Sequence, residues 1–306
     1  MASKGKVLRA LLQRPGLIVA PGVYDALSAR ICEMVGFEAV SHSGYGTAAV
    51  TLGRPDIGLL DMTEMVRQVG AVAGAVEIPV LGDADTGFGN AVNVHRTVQE
   101  YIRAGAAGLF IEDQLMPKRC GHMRGKQVIS MPEMLGKLRA AMDARTEFDP
   151  DFVIMCRIDA IAVNGFEDAL ARAKAAVDLG VDMIFVEAPE TREQMERVGR
   201  EIKAPLMLNL IEGGKTPLTT YREAEEMGFK YVVPALTALF AAAKGMYDVM
   251  RRVREEGVSD KYLDRLFTFQ EFAQVVHLDR FRQMEERYLP SEVLEERYRG
   301  EKRSIV

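Results

Sequence analysis

Eight short apolar runs recur along the chain, each followed by a turn and then by an amphipathic, alanine-rich segment. They are LIVAPG from Leu17, EAVSHSG from Glu38, PVLGDAD from Pro79, GLFIED from Gly108, FVIMCRID from Phe152, MIFVEAP from Met183, PLMLNL from Pro205 and YVVPA from Tyr231. Runs this short, and apolar along nearly their whole length, predict parallel strands covered on both faces. The segments between them, such as NVHRTVQEYIRAGA and FEDALARAKAAVDLG, carry apolar residues at helical spacing. Several are followed by glycine and then the next strand, as in MVGFEAV, RAGAAGLF, DLGVDMIF and EMGFKYV, where glycine just past a helix serves as its stop. Eight strands alternating with helices predict an α/β fold, a closed (β/α)8 barrel of the TIM type. No GxGxxG follows the first run, which argues against a dinucleotide-binding sheet.

From about Leu239 the strand signal stops. LFAAAKGMYDVMRRVREEG and then TFQEFAQVVHLDRFRQMEERY read as two helices, and the charged SEVLEERYRGEKRSIV is expected to fray. We read residues 1–306 as one barrel domain and 239–306 as a helical extension exceeding what a barrel needs. Spare terminal helices often pack on a neighbouring subunit, so an oligomer is expected.

Composition narrows the function. With 39 basic and 44 acidic residues the net charge is −5, which points to neither nucleic acid nor an anionic membrane as partner. No run is long enough for a membrane span, and the start of the chain lacks the apolar core of a secretory signal. Cys32, Cys120 and Cys156 are odd in number and widely spaced, so neither a disulfide framework nor a cysteine zinc site is expected. A reducing cytoplasm is the compartment they suit.

In such barrels the active site lies at the C-terminal ends of the strands. The polar groups following the runs are Ser43-Gly44-Tyr45, Asp83 and Asp85, Glu112, Arg157, Glu187 and Asn209. Asp83, Asp85 and Glu112 come from adjacent strands, and carboxylates so crowded need a cation or protons. Oxygen-only ligands suit Mg2+, or Mn2+, better than zinc. Arg157 ends an otherwise apolar strand and needs an anion, either Glu187 or a substrate carboxylate held bidentately. Ser43-Gly44-Tyr45 reads either as a carboxylate-binding nest or as a plain tight turn. The stretch PKRCGHMRGK, residues 117–126, sets a thiol in a polar, basic loop, which is not where a structural cysteine belongs.

DADTGFGN after the third run, EDQ after the fourth and KRCGH in the next loop resemble the isocitrate lyase and phosphoenolpyruvate mutase superfamily. The resemblance runs from PGVYDALSAR through NLIEGGKTP and, more loosely, into the C-terminal helices. It implies a (β/α)8 barrel whose last helix is exchanged between paired subunits, in a homotetramer that is a dimer of such dimers. It also implies a 2-hydroxy or 2-oxo dicarboxylate substrate held on Mg2+. Asp83 and Asp85, joined by Glu112, would lie at the metal directly or through water. Ser43, Gly44 and Tyr45 would hold the pyruvate-like end and Arg157 its oxygens. Asp56 would sit near the metal waters, with Glu187 and Asn209 lining the pocket. PKRCGHMRGK would be a gating loop bringing Cys120 to the reacting carbon as the acid, its pKa lowered by Lys118, Arg119 and His122.

Within the superfamily, the cysteine argues against phosphorus–carbon chemistry. Phe269 after Thr268, where a Thr-Arg pair would help bind a third carboxylate, argues against a tricarboxylate such as methylisocitrate. SGYG with KRCGHMRGK looks more like the branch of 2,3-dimethylmalate lyase and the plant petal-death protein, which act on 2-alkylmalates. Oxaloacetate hydrolysis shares the same loop. A Schiff-base aldolase would need a lysine at a strand end, where this chain has Glu187, the nearest lysine, Lys118, lying in a loop; a metabolite-binding barrel without turnover has no need of an acid and metal set.

Overall fold

The computed structural model describes residues 3–299. Residues 1–241 and 242–306 form separate compact units. In the first, nine parallel strands run in chain order: β1 (Ile18–Val19), β2 (Gly22–Val23), β3 (Val40–His42), β4 (Val80–Asp83), β5 (Gly108–Glu112), β6 (Val153–Ile158), β7 (Met183–Val186), β8 (Leu206–Leu210) and β9 (Tyr231–Pro234). Eight were expected; the ninth arises because the first run splits at Ala20-Pro21. Its first half pairs with β9 and its second with β3, so this one segment closes the ring. Proline has no N–H to give a ladder, but the Pro21 carbonyl still accepts from Ser41 N at 3.0 Å.

Side chains alternate across a strand, and this alternation builds the barrel interior. Leu81, Phe110, Val153, Met155, Met183, Phe185, Met207, Tyr231 and Val233 fill it, joined by Leu8 of the N-terminal helix Lys4–Gln13. Two residues beyond the last apolar position on successive strands stand Asp83, Glu112, Arg157, Glu187 and Asn209. The same parity that packs the lower barrel with methionine and phenylalanine therefore stacks charge above it. Residues of opposite parity, including Ile111, Ile154, Cys156, Ile184 and Leu208, pack outward against the helices.

The second unit contains most of the helix Thr237–Glu256, which begins in the first. A 3-10 turn Asp260–Arg265 follows, then helices Phe269–Val275, Leu278–Tyr288 and Ser291–Arg297. The second helix of the extension, expected as one, is broken at His277, which adopts φ 54°. The stretch expected to fray is helical over Ser291–Arg297, and its residues 300–306 lie outside those described. Met246, Tyr247, Phe267, Phe269, Phe281 and Tyr288 are exposed. No helix among the described residues is long and apolar enough to cross a membrane.

Candidate active site

A cavity opens at the C-terminal ends of the strands. Ser43, Tyr45, Asp56 and Asp83 line one side; Cys120, Gly121 and His122 of the 117–126 loop cover it; Arg157, Glu187 and Asn209 line the other. Phe110, Met207, Ile211, Val233, Ala235 and Leu236 form its apolar wall, of which the sequence reading missed Phe110, Met207, Ile211 and Val233. His42 also lines it. Its Nε2 lies 2.8 Å from Thr47 Oγ1, and burial depresses its pKa to about 4, leaving a neutral ring.

Ser43 caps the helix Gly44–Leu52, its side chain accepting from Gly46 N. The Gly44 N–H donates to Asp83 Oδ2 at 3.0 Å, and a Cβ on Gly44 would lie 2.7 Å from that oxygen. The glycine-rich turn therefore serves first to seat Asp83 against a helix N-terminus. Asp83 Oδ1 accepts from Asp85 N at 3.0 Å, so backbone donors hold both of its oxygens.

Beneath the cavity the acids meet a buried cation. Lys118 Nζ lies 2.7 Å from Asp56 Oδ1 and 2.7 Å from Asp85 Oδ1. Burial disfavours its charge, but Asp85 and Asp56 keep its pKa well above the ordinary lysine value. Even so, burial pushes Asp85 up to about 7 against the pull of Lys118. Glu112 is raised well above the usual carboxylate range, again by burial and despite Arg157 and Lys118. Its Oε1 has no hydrogen-bond partner among the described residues, and Oε2 lies 3.2 Å from Arg157 Nε. Asp83, Asp85 and Glu112 thus leave negative charge short of compensation, the condition a divalent cation relieves. Among the described residues no three such side chains form a ready metal-binding group; Lys118 pairs with Asp85 and Arg157 with Glu112. The donor set suits a Mg2+ that keeps several of its own waters.

Arg157 answers the alternative left open by its sequence. Rather than Glu187 alone, three carboxylates surround it: Asp159 Oδ2 at 2.9 Å, Glu187 Oε2 at 3.0 Å and Glu112. Its guanidinium also lies 5.3 Å from the Phe185 ring centre. Burial would raise the Asp159 carboxyl, but Arg157 and Lys126 together hold it down to about 2. Burial would likewise raise Glu187, but Arg157 and His122 outweigh it and hold the carboxyl below the usual range. Asp159 follows Arg157 by two residues at the polar end of the same run, the spacing that keeps side chains on one strand face.

The loop departs from expectation in one respect. Lys118, Arg119 and His122 were to lower the Cys120 pKa, and the opposite holds. Burial raises the thiol from its ordinary 9.0 to about 11, with Asp56 and Glu187 adding to the rise. Lys118 is spent on Asp56 and Asp85, and Arg119 is exposed. His122 Nε2 turns toward Glu187 Oε1 at 3.2 Å while its Nδ1 accepts from Lys215 N. At neutral pH Cys120 therefore carries its proton, as a donor requires. Alkylation, which needs the thiolate, is expected to accelerate steadily with rising pH and to level off only near 11. A plateau in the iodoacetamide rate below pH 9 would contradict this.

The model of the phosphoenolpyruvate phosphomutase family matches residues 8–254. The 2,3-dimethylmalate lyase of Eubacterium barkeri is 43% identical over 281 residues, covering 92% of this chain and 96% of that protein. The chain belongs to the phosphoenolpyruvate mutase and isocitrate lyase superfamily. It is an enzyme of that superfamily. Two solved relatives show the same fold. Oxaloacetate acetylhydrolase in complex with 3,3-difluorooxalacetate superposes with a TM-score of 0.89 at 36% identity, covering 93% of this chain and 96% of that one. Phosphonopyruvate hydrolase in complex with oxalate and Mg2+ superposes with a TM-score of 0.84 at 31% identity, covering 94% and 100%.

Proposed function

We propose that this superfamily member is a Mg2+-dependent carbon–carbon lyase. Its substrate is a 2-hydroxy dicarboxylate, a 2-alkylmalate such as 2,3-dimethylmalate. The products are pyruvate, or a similar 2-oxo acid, and a carboxylate. The observation that carries this reading is Cys120, a protonated thiol held over a cavity floored by Asp83, Arg157 and Glu187. Arg157 binds the carboxylate and C2 oxygen of the pyruvate-like half. The Glu187 carboxylate, held ionised in the cavity wall, takes the proton of the 2-hydroxyl as the C2–C3 bond breaks; the electron pair of that bond passes to C3, delocalised into the C3 carboxylate. Cys120 Sγ delivers its proton to C3, while His122 lines the same side of the cavity. Asp83 and Asp85, with Glu112, would hold Mg2+, which when bound would supply positive charge to the oxygens of the 2-oxo acid. The loop excludes water from the carbanion. The apolar wall at Ile211, Ala235 and Leu236 offers room for alkyl groups.

A panel of 2-alkylmalates, 2-methylisocitrate and oxaloacetate in a pyruvate- and oxalate-detecting assay tests the reading. The expected result is pyruvate from 2,3-dimethylmalate, abolished by EDTA and restored by Mg2+. Oxalate and acetate from oxaloacetate alone would replace it with a hydrolase, the second reading, which the likeness to oxaloacetate acetylhydrolase supports. Binding of these acids with no turnover would sink both.

The same proposal takes the enzyme as a homotetramer, two helix-swapped dimers. The exposed Phe269, Phe281, Met246 and Tyr288 in the C-terminal unit support it, since apolar side chains in such number seek a partner. Light scattering is expected to give a particle of four 33.9 kDa chains; a single chain at micromolar concentration would refute it.

A further inference from the structure

The 117–126 loop ends in a second lysine that the chemistry above leaves unused. The Lys126 ammonium is almost wholly buried, with 1% of its side chain exposed. Its Nζ donates to Gly121 O at 2.5 Å and to Asp159 Oδ1 at 3.0 Å. A buried ammonium is costly unless paired and hydrogen-bonded, so this placement demands an explanation beyond surface charge.

The partners supply one. Gly121 directly follows Cys120, and a Cβ at Gly121 would lie 2.4 Å from Glu187 Cγ, so the loop is pressed onto the pocket wall there. Asp159 is the carboxylate that also receives Arg157 Nε, at 2.9 Å. On the other side of Cys120, Gln114 grips the Arg119 backbone twice: Nε2 donates to its carbonyl at 2.8 Å and Oε1 accepts its N–H at 3.0 Å. The Cys120 N–H itself donates to Asp56 O at 3.1 Å. The peptide units flanking the thiol are thus held by side chains rather than by a regular ladder. Two contacts of the loop lead on to the guanidinium that lines the cavity: Lys126 through Asp159, and His122 through Glu187.

The geometry points to Lys126 as a positioning residue: through Gly121 O and Asp159 it ties the Cys120 segment of the loop to Arg157, so that the loop is held closed by the group that receives the substrate carboxylate. This deepens the lyase reading and rests on it for the identity of that carboxylate. Asp159 has two cations in the substrate-free enzyme. A carboxylate arriving at Arg157 draws that guanidinium away, and Asp159 then depends more fully on Lys126. Occupancy of the pocket and closure of the loop are in this way joined through one shared carboxylate. No bond is made or broken at Lys126, and its proton stays on Nζ throughout.

The test separates loop positioning from both folding and turnover. Full-length Lys126→Gln is labelled with iodoacetamide beside the wild type, and modification at each cysteine is read by peptide mass spectrometry. Cys156, fully buried in β6, reports opening of the barrel in the same digest. The expected result is that Cys120 labels about tenfold faster in Lys126→Gln, as local opening becomes cheaper, while Cys156 labelling is unchanged. With a cleaved 2-alkylmalate, kcat is expected to fall about tenfold and KM to stay within about threefold, the pattern of a lost transition-state interaction. Unchanged Cys120 labelling would overturn the proposal. So would a parallel rise at Cys120 and Cys156, which would make Lys126 a part of barrel stability only. Absence of lyase activity in the wild type would refute the function proposed above and leave the labelling outcome to decide the loop.

Discussion

Cys120→Ser is expected to keep the fold and lose the reaction. Serine fills nearly the same volume, and Cys120 belongs to none of the apolar clusters, so the melting temperature should move by no more than about 2 °C. Pyruvate release, in contrast, should fall about 10²- to 10⁴-fold, the range a positioned general acid contributes. The cause is acidity. A thiol at about 11 can still deliver its proton to a carbanion, whereas an aliphatic hydroxyl is a far weaker acid. Basic neighbours are not what makes Cys120 useful, because Lys118 is committed elsewhere and Arg119 faces solvent. Burial does this instead, by keeping the thiol protonated until a stronger base appears at C3. The measurement is kcat in a coupled pyruvate assay with the thermal midpoint alongside. A Cys120→Ser enzyme within threefold of wild type would remove the cysteine from the chemistry.

Lys118→Met is expected to act on stability first. The ammonium lies 2.7 Å from Asp56 and from Asp85 with 2% of its side chain exposed. Removing one partner of a buried ion group leaves the others uncompensated, at a cost of about 3–5 kcal/mol. The thioether fills the space but accepts neither charge, so the denaturant midpoint should fall accordingly. Lys118→Met combined with Asp85→Asn should recover part of the loss, because it removes the acid that burial already pushes up to about 7. A midpoint unchanged by Lys118→Met would show that solvent reaches these groups and that the cluster is not sealed. The first variant is read as chemistry without instability, the second as instability whatever the chemistry, so each controls for the other.

The barrel was legible in the sequence because parallel strands covered on both faces leave an unmistakable trace, apolar runs of strand length at regular intervals. The polar strand ends followed from the same reading, and Asp83, Arg157, Glu187 and Asn209 do converge on the cavity. The division of the first strand was not legible, since LIVAPG is as apolar as its neighbours and only its pairing reveals that it serves two partners. The break at His277 was missed, although the apolar face changes phase there: Phe272 and Phe281, nine residues apart, would lie on opposite faces of one continuous helix, and His277 between them adopts the left-handed region. Which basic groups face the cavity could not be read from KRCGH, where adjacent residues point in different directions. Lys118 turns under the floor, Arg119 outward and His122 toward Glu187. Asp159 stands in plain view at the polar end of its run, but that it is shared between Arg157 and Lys126 is shown only by the fold.

The segment between Leu115 and Gln127 is hung from a paired base. Gln114 and Val128 form an isolated antiparallel bridge, Leu115 N donates to Gln127 O, and Ile129 N returns to Asp113 O. The ladder of the barrel does not pass through it. The reactive tip can therefore be exchanged as a cassette, spliced at two neighbouring points, provided Lys118 and Lys126 keep their hold on Asp56, Asp85 and Asp159. A scaffold of this kind lets selection, or an engineer, rewrite the acid while the anion-binding floor is inherited unchanged.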